Sequence, residues 1–400
     1  MKSEWTYRPL GELVSFASGG TPSKKRDDYW GGTIPWISAK TLKTENIDTS
    51  DLFITEEGLK AGSKIAPKGS ILLLTRGSGL FNGIPIARVE KDVAFNQDIK
   101  CLDSYGEVEN EFIFYWLLSQ KDYLMAKVGV TGIGAGKFDL DFLQKLMIPI
   151  PSERERKSIV GFASNISEKI RCNAKVNDNL EQQAVALFKS WFVDFSLFGG
   201  TVPENWEDTT LENITTLITR GIAPKYSDNS DQTVVNQKCI RNHTIDLSLA
   251  RTHTPKAINE KWLKFGDLLI NSTGDGTLGR VAQVWFAPKA LTVDSHVTIV
   301  RPAREELIFY IGLWGILHEK EIESLHTGST GQTELPRDRV KKLKLLLPDN
   351  ISLSRFNSII APMASTIISN QEENQKLASL RDTLLPKLMS GEIDVSSIQL

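Results

Sequence analysis

The residues that come nearest to carrying chemistry in this chain are Gly132-Ile133-Gly134-Ala135-Gly136-Lys137. A glycine-rich run closed by lysine is the pattern that cradles nucleotide phosphates on backbone amides and a cation. Here Thr131 stands where the first glycine is needed, and Phe138 replaces the magnesium-binding Ser or Thr. The run therefore reads as a polar loop. Glu155-Arg156-Lys157 has the Glu-x-Lys spacing of some nuclease sites, but no Pro-Asp precedes it. Acidic residues there suit the first turn of a helix, whose dipole favours negative charge. The five histidines, His243, His253, His296, His318 and His326, form no i,i+4 pair and no acidic triad. A metal site or an activated nucleophile is unsupported. No Pro-Pro pair occurs anywhere, so the Asn/Asp-Pro-Pro-aromatic motif of a self-contained adenine methyltransferase is missing. The expectation is a chain with no catalytic residue, no metal site and no cofactor of its own.

What remains is a set of polar loops with basic residues. In the first half these supply Thr21, Lys24, Lys25, Arg26, Lys40, Lys43, Arg76, Ser78 and Lys137. In the second half they supply Arg220, Lys225, Lys238, Arg241, Arg251, Asn271, Arg280, Thr327 and Gln332. Lysine and arginine neutralise phosphates, arginine also forks onto a guanine edge, and Asn271 or Gln332 has the amide that pairs with adenine. Glycines in these loops let backbone amides approach phosphates closely. As a group the loops point to DNA; singly, each residue fits a solvated basic surface as well. Tyr29, Trp30 and Trp36 have the ring faces to stack on bases, but aromatics between strands favour packing.

Composition narrows the class. The chain has 400 residues, 40% of them hydrophobic, and a formal net charge of −2. That length buries more than one core, and the charge gives no global attraction for a polyanion. Cys101, Cys172 and Cys239 are odd in number and far apart, which argues for a reducing compartment and against a disulfide framework. No apolar run approaches ~20 residues and the first residues do not form a signal peptide, so the chain is expected in the cytoplasm and not in a membrane.

Two stretches must position the loops. From about Ser152 onward, Ile159, Phe162, Ile166, Ile170, Leu180, Leu187 and Phe188 recur at helical spacing. Pro149 and Pro151 forbid helix upstream, and Ser152 with Glu155 has the spacing of a capping box. At ~1.5 Å per residue the helix is roughly 60 Å long. The pattern returns from Asp349 through Phe356, Ile360, Met363, Ile367, Leu377, Leu380, Leu384 and Leu388, with Pro386 predicting a kink or an end. Laid over each other 200 positions apart, the copies match Leu180 to Leu380, Phe188 to Leu388 and Ser190 to Ser390. A helix this long with one apolar seam needs a partner, and an antiparallel pairing of the two copies supplies it.

The preceding segments repeat too. Trp5 to Pro22 resembles Trp206 to Pro224. Lys68-Gly69-Ser70-Ile71-Leu72-Leu73 resembles Phe265-Gly266-Asp267-Leu268-Leu269-Ile270, each followed by a glycine-rich turn and a further strand (Ile84–Val89, Gly279–Val284). Ile113-Phe114-Tyr115 recurs as Ile308-Phe309-Tyr310 in what reads as a short amphipathic helix, and the Thr131-Gly132 loop recurs as Thr327-Gly328. The predicted fold is α+β: two globular domains in tandem repeat, joined by two long helices that form an antiparallel, coiled-coil-like spacer with pseudo-two-fold symmetry. The boundaries are 1–151, a central helix 152–198, 199–348, and a final helix and tail 349–400. Doubled grips in reversed orientation suit duplex DNA; a dimeric protein partner is the alternative.

At this point the chain resembles the DNA-specificity subunit of type I restriction-modification systems. The residues that carry the likeness are Leu10-Gly11-Glu12-Leu13, Ser18-Gly19-Gly20-Thr21-Pro22, Tyr29-Trp30, Ile34-Pro35-Trp36 and Ile148-Pro149-Ile150-Pro151. At the far end they are Leu380-Arg381-Asp382-Thr383-Leu384-Leu385-Pro386-Lys387-Leu388 and Ser390-Gly391-Glu392-Ile393. The second repeat lacks the Gly-Gly-Thr-Pro and Tyr-Trp signatures. The resemblance implies two target-recognition domains that each read half of a bipartite site, with the helices as a fixed spacer. It also implies two docked methyltransferase subunits, joined by motor-nuclease subunits for cleavage. S-adenosylmethionine, ATP and Mg2+ would sit on those partners only. The competing reading is a repeat-built protein–protein scaffold without DNA affinity.

Overall fold

The computed structural model describes residues 5–132, 134–274, 276–328 and 333–394. The chain divides into two compact units, one made of Met1–Arg171 with Asn374–Leu400 and the other of Cys172–Glu373. Two 40-residue helices, Glu153–Phe192 and Asn350–Met389, contribute a half each to either unit.

In the first unit, five strands lie in the order Val14–Ser18, Ile99–Ser104, Ile71–Leu74, Ile86–Val89, Asn46–Ile47. All neighbours are antiparallel except the last pair. A second sheet pairs Trp30–Ile37 with Val93–Phe95 in parallel. Thr6–Pro9 pairs with Met147–Ile150, which brings the start of the unit beside the strand that feeds the long helix. The second unit repeats this plan by itself. Thr215–Arg220, Val297–Pro302, Leu268–Asn271 and Val281–Gln283 form its main sheet, and Thr233–Val235 lies parallel to Leu291–Val293. Glu207–Thr210 pairs with Lys344–Leu347.

The repeated glycine has a steric reason. A Cβ on Gly19 would lie 2.0 Å from the carbonyl oxygen of Phe95, and one on Gly221 would lie 1.9 Å from that of Val293. In both units the chain leaving the first sheet strand is clamped on the parallel strand, by Gly20 N–H to Phe95 and Ile222 N–H to Val293, each 2.9 Å.

Both long helices are capped by carboxylates. Glu155 Oε2 accepts from the Ser152 amide at 3.0 Å while its own amide donates to Ser152 Oγ at 3.3 Å, which is the predicted capping box. Asp349 accepts from the amides of Ile351 and Ser352, from Ser352 Oγ and from Trp206 Nε1. Trp5 Nε1 donates to Glu155 in the same way. Partial burial pushes the Asp349 carboxyl up, but the bonds from Ser352, Trp206 and Ile351 outweigh it and hold the group down at about 2.

The helices run antiparallel within each unit. In the first, Asn374 reaches the Ile170 carbonyl and Arg381 reaches Ser167 Oγ. In the second, Asn173 binds Glu373 at 2.7 Å, and Asn177 accepts from Asn370 at 2.8 Å. Ile159, Ile166, Phe188, Phe356, Ile360, Ile367 and Leu388 are buried, and Phe162, Ile170, Leu180, Leu187, Met363, Leu377 and Leu384 are partly so. Leu380 departs from the predicted seam. It is 46% exposed because Arg381 takes the inward position, where it binds Glu45 at 2.7 Å.

Three further expectations are corrected. Of the two outcomes predicted at Pro386, the end does not occur: the second helix continues to Met389, and it also contains Pro362. Leu385, Leu388 and Met389 are buried in the first unit's core. At ~1.5–3 kcal/mol each, their burial exceeds the ~3 kcal/mol that an internal proline costs. The first helix stops at Phe192, short of 198, because Phe195 turns to a φ of +51° and packs on Trp206 with Phe198. The helices Asn110–Ser119 and Ile308–Leu317 are buried nearly all round, not amphipathic.

The second unit also buries an ion pair. Arg301 Nε and Nη2 donate to Asp267 at 2.8 and 2.7 Å, and the guanidinium also caps the carbonyls of Glu260 and Trp262. Arg301→Met should therefore destabilise this unit by ~3–5 kcal/mol, since it strands a buried carboxylate. In urea unfolding, a loss under ~1 kcal/mol would show the pair to be idle, and Arg301→Met with Asp267→Leu should recover part of the loss. The Asp349 cap predicts an acid-side effect. A lowered carboxyl stabilises above the ordinary carboxylate range and loses that contribution as pH falls through about 2. Asp349→Asn should be less stable than the parent above pH ~4 and indistinguishable from it near pH ~2. A gap that stays constant across that window would refute the assignment.

Candidate nucleic-acid interface

The short strands at the glycine-rich turns collect several of the predicted basic residues in the first unit. Arg76–Gly77 pairs antiparallel with Gly136–Lys137, which pairs with Gly129–Val130. Lys137 lies directly opposite Arg76, and both side chains, like Ser78, are exposed. The loop that sequence alone compared to a phosphate cradle thus becomes a β-turn arm. Thr131 closes it, with its carbonyl taking the Gly134 amide and its Oγ1 taking the Ala135 amide.

The Thr21 to Tyr29 segment is a second basic site. Lys24 and Lys25 are exposed, whereas Arg26 is held by Asp28 at 2.6 and 2.8 Å and lies 4.8 Å from the Tyr29 ring centre. Their hydrogen bond lowers the Asp28 carboxyl. Thr21 Oγ1 donates to Gln97. Trp30 and Trp36 pack edge to face, and their indole N–H groups are spent on the carbonyls of Ser23 and Gly20. Lys40 and Lys43 are exposed on the connection that follows.

The second unit places its candidates differently. Arg220 binds Glu334 at 2.6 Å and the Leu335 carbonyl at 3.0 Å. Arg280 donates to the carbonyl of Gly276. Arg251 lies 3.7 Å from the centre of the Tyr226 ring, which preorganises its fork while leaving it exposed. Lys225, Lys238 and Arg241 are exposed, and Thr327 is exposed where its backbone bridges to Glu334. Gln332 lies outside the described residues.

Asn271 is the clear correction. It is fully buried at the end of the strand Leu268–Asn271, where the first unit has Leu74, and its Nδ2 donates to the Gln237 carbonyl. A side chain sealed in a strand cannot read adenine. Sequence reasoning missed its neighbours instead. Thr273 Oγ1 binds Gln237 Oε1 at 3.2 Å and His296 Nδ1 at 2.7 Å, at the exposed glycine turn. The signal was available only through the repeat, which aligns Thr273 with Arg76.

Among the described residues no helix is long and apolar enough to cross a membrane. Residues 2–182 match the family described as the type I restriction modification DNA specificity domain. The MjaIX specificity subunit of a type I restriction enzyme from Methanocaldococcus jannaschii is 27% identical over 99% of this chain and 95% of that protein. The EcoR124I/EcoR124II specificity subunit from Escherichia coli is 31% identical over 40% of each chain. In fold, the chain is similar to the crystal structure of a type I restriction-modification S subunit from M. genitalium, with a TM-score of 0.56, 17% identity and 96% of both chains covered.

Replacing Asn271 with Ala should cost ~1–2 kcal/mol of stability through the lost Gln237 contact and leave sequence preference unchanged. A shift in the bases selected by that variant would return Asn271 to the reading surface. The first repeat with most of its long helix thus matches the type I restriction modification DNA specificity domain, and the chain as a whole aligns along nearly its full length with a type I specificity subunit.

Proposed function

We propose that this protein is the sequence-specific DNA-binding subunit of a type I restriction-modification complex. Residues 1–151 read one half of a bipartite site and residues 199–348 read the other. The observation that carries this reading is the duplication itself. Two units share one strand plan and one pair of capped helices, yet expose different loop side chains, Lys24, Lys25, Lys40 and Lys43 in one and Lys225, Lys238, Arg241 and Arg251 in the other. Equivalent grips with different surface chemistry are what a split, asymmetric site requires.

The long helices also serve as the docking platform for two methyltransferase subunits, with motor-nuclease subunits joining for cleavage. The protein itself is non-catalytic and works in the cytoplasm, and S-adenosylmethionine, ATP and Mg2+ belong to the partners. Exposed apolar residues on the helices, Val176, Ile359 and Leu380, are available for such contacts.

Exchange of residues 1–151 for the equivalent unit of a relative should alter one half of the methylated sequence and spare the other. Methylation mapping that finds both halves changed would rule out separate readers. In a gel shift with the methyltransferase subunit present, binding should weaken steeply with salt. No shift at any salt would favour a protein scaffold instead.

A further inference from the structure

The two units use the same backbone feature with opposite electrostatics. In the first, Arg76 and Lys137 face each other across an antiparallel ladder. Directly opposed residues in such a ladder hold their Cβ atoms ~5 Å apart, and like charges there are destabilising. Neither cation has a carboxylate partner among the described residues. The nearby acids are engaged elsewhere: Asp98 accepts from the Asn96 amide, and Asp139 caps the turn at Asp141. The backbone fixes the pair. The Arg76 amide donates to the Asp98 carbonyl and the Phe138 amide to that of Thr75. Gly136 is required beneath them, because a Cβ there would lie 2.9 Å from the Leu80 Cβ.

In the second unit the equivalent bridge joins Thr273 to Glu334. Threonine replaces one cation and a carboxylate the other, and Glu334 is neutralised internally by Arg220 at 2.6 Å. Two facing cations held in place without an anion are an unfinished site, and an anion between them relieves the repulsion that the fold imposes.

We propose that Arg76 and Lys137 form a phosphodiester clamp. The pair grips the DNA backbone without reading a base, so the first unit carries more of the salt-dependent affinity than the second. This rests on the DNA-binding reading above. Two released counterions correspond to a change of about 1.8 in the slope of log K against log salt.

The test is fluorescence anisotropy of the full chain assembled with its methyltransferase subunit. The duplex carries the sequence that the assembly methylates, and a second duplex has the first half-site shuffled. Arg76→Gln with Lys137→Gln should make the slope shallower by about 1.8 and leave the cognate-to-shuffled affinity ratio unchanged. Arg76→Lys with Lys137→Arg, which keeps both charges, should restore the slope and so exclude misfolding as the cause. An unchanged slope in the glutamine variant overturns the clamp alone, and so does a collapsed affinity ratio, which would mean base reading. A wild-type assembly with no salt-dependent binding overturns the DNA reading and the clamp together.

Discussion

Burial of an apolar stripe from each long helix is the constraint on which the rest of this structure depends. A 40-residue helix with one greasy seam has no reason to persist in water by itself. Here each half of each helix completes a globular core. Ile159 and Ala163 pack with Leu385, Leu388 and Met389 in the first unit, and Phe188 and Phe192 pack with Phe356 and Tyr310 in the second. The sheets in turn depend on the helices to cover their apolar faces. The caps tie the two together, since the tryptophan that opens each unit donates to the carboxylate that starts its helix.

Polar residues inside the helix pair set its register. In the second unit Asn173 and Asn177 are buried, with hydrogen bonds to Glu373 and from Asn370. An apolar seam tolerates sliding by a turn, but a slide there would leave these amides unpaired at ~1–3 kcal/mol apiece. Buried asparagines used in this way favour one alignment over others at some cost in stability. For helices that complete a core in each unit, a single alignment matters more than the last increment of packing energy.

The duplication shows which parts of the fold are frame and which are free. Gly19 and Gly221 recur because the same backbone approach leaves no room for a Cβ. Ser70 and Asp267 occupy the same strand entrance with different solutions. Ser70 Oγ donates to the Pro67 carbonyl, while Asp267 accepts from the Lys264 amide and also holds Arg301 in the core. The exposed turns differ most, because nothing in the core dictates what stands at Arg76 or Thr273.

The sequence by itself determined the repeat, the two long helices with the cap of the first, the paired strands and most of the apolar seam. These follow from local rules: helical periodicity, proline upstream, Ser152 with Glu155, and buried strand runs beside glycine turns. It could not determine where each helix stops, because the ends at Phe192 and Met389 are set by side chains that find a core far away in the chain. Nor could it separate the free cations from the spent ones. Arg220, Arg26 and Arg76 are alike in sequence, and only folding brings Glu334 to the first, keeps Asp28 on the second and sets Lys137 opposite the third. Asn271 shows the same limit, since burial at a strand end is decided by what packs around it. Charge pairing and burial depend on contacts between residues distant in the chain, and only the tertiary structure decides them.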